Sequence, residues 1–302
     1  MTGHENFATK LNPVFMDLPV GIVEFFSALN IFLSITACLG NALILSALHS
    51  VSIYPPTKFF FRCLAVTDLC VALVVQPLYV TFLLSHITEV SENVAYYVSE
   101  SYNVFSWILC GVSLLTSTAI SVDRLLALLL RMRYRHVVTL RRVRVVIILF
   151  WLISVSFGSI RMSGSDVIFI LASITVPLSV VTSIFCYTRI YLTVRHQQAQ
   201  INSQVSHGRA NRGGIPLNIA RYKKSVSSIS WVQLGLVVFY APFGIVLALY
   251  VCDAIENDLA WVATLTLVYF NASLNPILYC WKIAEVRKAV KDTLRQLLLL
   301  ID

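Results

Sequence analysis

The sequence predicts an all-α fold: a bundle of seven membrane-spanning helices followed by a short amphipathic helix. Three observations lead there. Hydrophobic residues fill 58% of the 302 positions and charged ones only 13%, whereas soluble domains run nearer half apolar and a quarter charged. Seven apolar stretches are each long enough to cross a hydrocarbon core of about 30 Å, which takes roughly 20 helical residues. The charges also sort by side of the membrane.

Residues 1–21 hold Pro13, Pro19 and several polar groups and do not read as a cleavable signal peptide. The first span, 22–48, is expected to act as its own insertion signal, leaving 1–21 as an outer N-terminus. Spans follow at 57–84, 94–127, 142–161 and 166–192, and the last two at 225–252 and 257–280. The outer loops are short, and the second shrinks to a few residues around "RMSGSD" (161–166). One long inner loop, about 193–224, carries "QQAQINSQVSHGRANRGG", a composition that reads as flexible and solvated. Residues 22–280 thus form one transmembrane domain. In 281–302, Ile283, Val286, Val290, Leu294 and Leu297 recur at helical spacing opposite a basic face. This is the pattern of a helix lying on the inner leaflet, so membrane lipid is an expected partner.

With the N-terminus outside, Lys10 and Arg161 are the external basic residues, and 21 of the 23 Lys and Arg lie inside. Ten of the 15 acids fall outside. The reverse topology would violate the positive-inside rule. The net charge of +8 therefore reflects orientation, and nucleic acid is not an expected partner. Most of the seven cysteines sit within spans, where cysteine acts as a small apolar residue. None has CxxC or Cys/His metal spacing, and no structural disulfide is expected.

Polar groups at membrane depth are costly and face protein or water. They are few here: Asn41, Asp68, Gln76, Asn103, Gln233, Asn271 and Asn275. Asp68, in "CLAVTDLCVAL", is the one carboxylate deep inside a span, and a lone buried carboxylate requires a cation or a proton. Asn271, Asn275 and Tyr279 recur every helical turn on one face. Ser106, Ser113, Ser117 and Ser121 lead down the third span to Asp123 and Arg124. Such serines commonly do no more than join helices by hydrogen bonds. Pro77, Pro177, Pro242 and Pro276 each remove a backbone hydrogen bond and bend a span.

Taken in order, "GN" (Gly40, Asn41), "LAVTD", "SVDRLLAL", Trp151 in "LFWLIS", Pro177, Pro242 in "FYAP" and "NASLNPILY" make the chain resemble the rhodopsin-like G-protein-coupled receptors over nearly its whole length. The resemblance implies a receptor that activates a heterotrimeric G protein at the plasma membrane, and not an enzyme. It implies that Arg124 pairs with Asp123 at rest and meets the G protein when active, with hydrophobic Met132 docking beside it. Asp68, Ser113, Asn271 and Asn275, with Asn41 alongside, match the family's allosteric sodium pocket; no other cofactor is implied. Asn275, Pro276 and Tyr279 match the inner switch of the seventh span, with Tyr187 as the expected partner of Tyr279. Tyr240, two residues before Pro242, stands where the family usually has tryptophan. Leu125 stands where it usually has tyrosine, and Tyr222 replaces an acid at the foot of the sixth span.

The usual disulfide from the third span to the second outer loop is missing at both ends, with Ser99 at the first position. In this the chain resembles the melanocortin, lysophospholipid, cannabinoid and adenosine group. Ser106 stands where amine receptors carry aspartate, and Tyr269 where light receptors carry lysine, so neither a typical biogenic amine nor light is expected. The resemblance places the ligand among Gln76, Tyr79, Asn103, Ser106, Phe243, Leu247, Trp261, Leu265 and Tyr269, a largely apolar lining of the usual small-molecule kind. Peptide, lipid and nucleoside-like ligands all stay open. The acidic outer face would steer a cation, although topology alone accounts for it. Thr293 is the single Ser or Thr after Tyr279, so arrestin coupling through the tail is expected to be weak. A transporter or channel using Asp68 as a cation site is the alternative, and the sequence shows no internal repeat to support it.

Overall fold

A computed structural model describes residues 18–51, 53–88, 90–163, 165, 167–206, 235–254, 257–282 and 284–299. Tyr222 and Gln233, and with them the first part of the sixth predicted span, lie outside these. Among the described residues the regular structure is helical. The helices are α1 (Val20–Ala47), α2 (Pro55–Ser85), α3 (Glu92–Leu130), α4 (Leu140–Met162) and α5 (Val167–Ser206). They continue with α6 (Gly235–Val251), α7 (Asp258–Lys282) and α8 (Ala284–Leu299). The end at which α1 begins is the outer end in the predicted topology.

The first five helices are long and apolar enough to cross a membrane. Their outward residues are bare aliphatic and aromatic side chains such as Phe32, Leu39, Leu152, Leu178 and Val181, as a surface solvated by lipid tails requires. The seventh span is the polar one, diluted by Asn271, Asn275 and Pro276.

Two differences from the sequence reading have plain causes. Helix α5 runs to Ser206, so residues 193–206 are helix rather than loop. The segment holds four Gln, with Arg195 and Ala199, all residues that favour helix, and the first breaker is Gly208. Helix α8 packs one face on the bundle: Val286, Ala289 and Val290 are buried against Ile44, Leu48 and Val51 at the foot of α1 and Leu278 of α7.

Helix α2 is interrupted by a π-helical turn, Val71–Val75, immediately before Pro77. The proline ring crowds the preceding turn and has no N–H to close it, so the helix widens by one residue. Ser34 Oγ of α1 donates to the Ala72 carbonyl within this turn at 2.8 Å.

Side chains fill the bundle in two main clusters. The outer one is built around Tyr79, Phe82, Tyr102, Phe243, Leu247 and Tyr269. The inner one is built around Ile44, Phe60, Phe61, Leu64, Ile147 and Tyr279. On each helix the membrane-depth polar residue falls between the two: Asn41 between Ala37 and Ile44, Asp68 between Leu64 and Val71, Ser113 between Leu109 and Ile120.

Gly40 lets α7 come close at that level. A methyl group on it would lie 2.9 Å from both Cβ and Cγ of Pro276, and a rigid ring cannot rotate aside. Gly40→Ala should therefore cost about 1–3 kcal/mol, seen as a lower melting temperature of the purified protein. An unchanged melting temperature would show that α1 and α7 tolerate the extra separation.

Candidate functional site

The polar layer centres on Asp68, which is fully buried. Its carboxylate accepts from Ser113 Oγ of α3 and from Asn275 Nδ2 of α7, each at 2.8 Å. A carboxylate has about four lone-pair sites, so two neutral donors leave capacity for more. Asn41 donates to the carbonyls of Ala37 and Ala272, tying α1 to α7, while its own Oδ1 has no partner. Ser117, one turn inward from Ser113, likewise keeps an unpartnered Oγ. Asn271 is buried in the same layer, and no hydrogen bond joins it to Asp68. The donor set is all oxygen, hard and singly charged, which suits a small alkali cation rather than a transition metal. Among the described residues no three His, Cys, Asp or Glu come together as a metal cluster.

At the inner end, Arg124 and Asp123 form an ion pair within α3. The carboxylate is 3% exposed and gathers further donors. Arg124 Nε donates to Asp123 Oδ2 at 3.0 Å, and Tyr134 Oη donates to Oδ1 at 2.7 Å. Thr57 Oγ1, from the first turn of α2, donates to Oδ2 at 3.2 Å and in turn accepts from the Arg124 guanidinium.

Local structure delivers both partners. Pro55 and Pro56 open α2 just ahead of Thr57, since proline suits the first helical turn. Arg131, with φ of 44°, stops α3 in a conformation L residues adopt at a cost, and the chain doubles back so that Tyr134 meets Asp123. Tyr54 fastens this inner loop by donating to the Val138 carbonyl at 2.9 Å.

Tyr240 and Tyr279 are buried; Tyr279 lies edge-on to Phe61 with its hydroxyl unpartnered. Asn275 and Pro276 follow one another on α7, and Pro242 lies within α6. Tyr187 is not brought to Tyr279: it is partly exposed on α5 and stacks on Tyr191 at 6.5 Å. Met132 is 90% exposed on the inner loop.

The outer cavity, about 90 Å³, lies among α3, α4, α5, α6 and α7. Asn103, Ser106, Phe243, Trp261 and Leu265 line it, together with Tyr240. Gln76, Tyr79, Leu247 and Tyr269 do not line it, although each is fully buried. Tyr79 packs against Tyr102 and Tyr269 at 5.1 and 5.2 Å, and Tyr102 stacks on Phe82. This aromatic plug fills the α2 side of the bundle and leaves the open volume beside α4 and α5. Ser106 reaches the plug through Tyr269 at 3.1 Å.

Above the cavity, Arg161 at the end of α4 donates to Glu100 of α3 at 3.1 Å. The pair is largely shielded, with side-chain exposures of 10% and 24%.

The family model described as "7 transmembrane receptor (rhodopsin family)" matches residues 40–167 and 161–279. The chain belongs to this family. It is a multi-pass membrane protein of the G-protein-coupled receptor type, and the family is one of receptors rather than enzymes. It is similar to trace amine-associated receptor 9 of Homo sapiens, 25% identical over 294 residues, which span 86% of this chain and 81% of that receptor. It is also similar to adenosine receptor A3 of Bos taurus, 24% identical with 86% of each chain covered. Adenosine receptor A2a of Canis lupus familiaris is 22% identical, covering 87% of this chain and 70% of that one.

The receptor's inner site contains two residues that sequence reasoning missed, Thr57 and Tyr134. The available signal was weak: a hydroxyl just inside a Pro-Pro helix start, and a tyrosine among four arginines, "RMRYR" with Arg124 upstream. Glu100 and Arg161 were separately visible as charges, and their pairing across 61 positions emerges only in three dimensions.

Proposed function

We propose that this receptor passes the binding of an extracellular ligand across the plasma membrane to a heterotrimeric G protein, with its N-terminus outside and its C-terminus in the cytosol. The observation that carries the reading is the Arg124–Asp123 pair held by Thr57 and Tyr134 at the inner end. It supports a releasable resting state, with Arg124 and exposed Met132 as the G-protein contacts. Tyr240, Pro242, Asn275, Pro276 and Tyr279 form the switch between outer cavity and inner lock, with Tyr187 joining only after α5 or α7 moves. Asp68, Ser113, Asn275 and Asn271 hold sodium, which favours the resting state.

The names of the relatives speak of amines and of adenosine. For this chain Ser106, in place of an amine-pairing aspartate, weighs against a small amine, and peptide, lipid and nucleoside-like ligands fit the residues. Thr293 spends its hydroxyl on the Ala289 carbonyl, in keeping with weak arrestin coupling through the tail.

The test is nucleotide exchange on purified G protein by the purified receptor. Wild type should show ligand-independent exchange, because Tyr222 replaces a restraining acid, and Arg124→Ala should reduce it at least tenfold, equivalent to about 1.4 kcal/mol. Equal rates for the two would remove Arg124 from coupling. Sodium flux through reconstituted receptor, with no exchange, would favour the transporter alternative.

A further inference from the structure

The outer cavity has a feature that its family does not dictate. Among the described residues its lining contains no Asp, Glu, Lys, Arg or His. An ionised ligand would there lose its hydration without gaining a countercharge, a cost of several kcal/mol per ion. The lining does contain polar groups short of partners. Ser154 of α4 is 2% exposed, and its Oγ has no hydrogen bond. Gly111 stands opposite, where a methyl group would come within 2.9 Å of that Oγ. Asn103 uses its amide hydrogens on Ser99, which leaves its carbonyl oxygen to accept. The cavity thus offers neutral donors and acceptors to an uncharged polar group.

At about 90 Å³ the cavity is smaller than ligand pockets usually are, roughly 300–1,000 Å³. A second space lies further toward the inner end. A groove of about 460 Å³ runs along α3, α4 and α5, three of the helices around the cavity, with Phe60 of α2 and Val137 and Val138 of the inner loop also lining it. Leu115 borders both spaces. The walls of the groove are apolar over most of its length, and Thr118 and Thr182 turn their hydroxyls to their own helix carbonyls. Its inner end reaches Asp123, with Arg142 beside it.

Each space is bordered by an outward-facing apolar side chain. Ile153, which borders the cavity, is 45% exposed on the lipid-facing side, and Leu178, which borders the groove, is 62% exposed. An unpaired buried hydroxyl, an uncharged chamber and a mostly apolar groove along α3, α4 and α5 describe one kind of occupant.

We propose that the receptor binds a neutral single-chain amphiphile taken from the bilayer between α4 and α5. Its uncharged head sits at Ser154 and Asn103, and its hydrocarbon tail lies in the α3–α4–α5 groove past Leu115. This names the ligand class of the receptor proposed above and rests on that reading. The tail reaches the wall formed by Asp123, so occupancy bears directly on the residue that restrains Arg124.

The probe is a photoreactive monoacylglycerol in vesicles of neutral phospholipid carrying the full-length receptor, with labelled peptides mapped by mass spectrometry. Labelling should fall on α4 and α5 between Val146 and Thr182. Unlabelled monoacylglycerol should compete, and it should also change the nucleotide-exchange rate. Leu115→Trp, which fills the junction, should reduce labelling at least tenfold. Ser154→Ala, a smaller and safer change, should weaken competition about fivefold, as loss of one hydrogen bond does. A photoreactive lysophosphatidic acid is the anionic arm. Labelling by that probe alone, lost in Arg142→Gln, would overturn the proposal in favour of an acidic lipid held at the inner mouth. Absence of specific monoacylglycerol labelling in wild type, or labelling indifferent to both substitutions, would also overturn it. Ligand-independent exchange sensitive to Arg124→Ala is read separately, so the receptor reading survives or fails on its own result.

Discussion

Replacing Asp123 by asparagine should raise ligand-independent nucleotide exchange roughly tenfold. The carboxylate accepts from Arg124, Thr57 and Tyr134, and hydrogen bonds to a charged group are each worth about 1.5–3 kcal/mol. Asparagine keeps the volume but loses the charge and one acceptor oxygen. About 1.4 kcal/mol taken from the resting state alone gives a tenfold change. Tyr134→Phe and Thr57→Val remove one member each and should give smaller rises, about threefold, the Phe variant keeping its ring against Tyr54. A graded series read at matched surface expression would support a shared lock. Identical basal rates in all three would mean that Arg124 is restrained by other groups. An effect of Asp123→Asn with none from its partners would reduce the lock to the bare ion pair.

The second large effect is expected at Asp68. In wild type, replacing sodium chloride by choline chloride at constant ionic strength should raise basal exchange by about fivefold or more, the usual range of allosteric coupling. The Asp68→Asn variant should respond equally to both salts. The carboxylate is fully buried and, among the described residues, receives two neutral donors, with further oxygens unpartnered at Ser117 and Asn41. An uncompensated buried charge costs several kcal/mol, and a bound cation relieves that cost. The state that would enclose the cation should therefore be favoured when sodium is present. If Asp68→Asn kept the full sodium response, the ion would have to act elsewhere.

Much of this architecture is legible in the sequence because bilayer solvation imposes a simple rule, about 20 apolar residues per span. Helix ends are less legible. Residues 193–206 look polar and loop-like, but polarity does not oppose helix, and α5 continues until Gly208 is near. Asp68, Ser113 and Asn275 could be singled out because polar atoms at membrane depth are rare, and the structure does bring those three together. Gln76, Tyr79, Leu247 and Tyr269 show the opposite case. Helical phase turns them inward, as expected, but an inward position becomes cavity wall only where neighbours leave space. The stacking of Tyr79, Phe82, Tyr102 and Tyr269 uses that space up. Tyr187 misses Tyr279 for a similar reason, since its rotation about α5 leaves it on Tyr191. Thr57 and Tyr134 lie at a helix start and in a loop, where no periodicity marks a residue as special.

Glu100 follows immediately on Ser99, the residue at the place where a cystine would usually anchor the third span. All seven cysteines are free, and the outer ends of α3 and α4 are instead joined by the Glu100–Arg161 pair. Covalent and ionic fastenings answer to different surroundings. A thiol reductant severs the first and leaves the second intact, so this receptor should mature and keep its outer shape in strongly reducing conditions. Replacing either charge, a change that would leave a cystine untouched, becomes what loosens its rim.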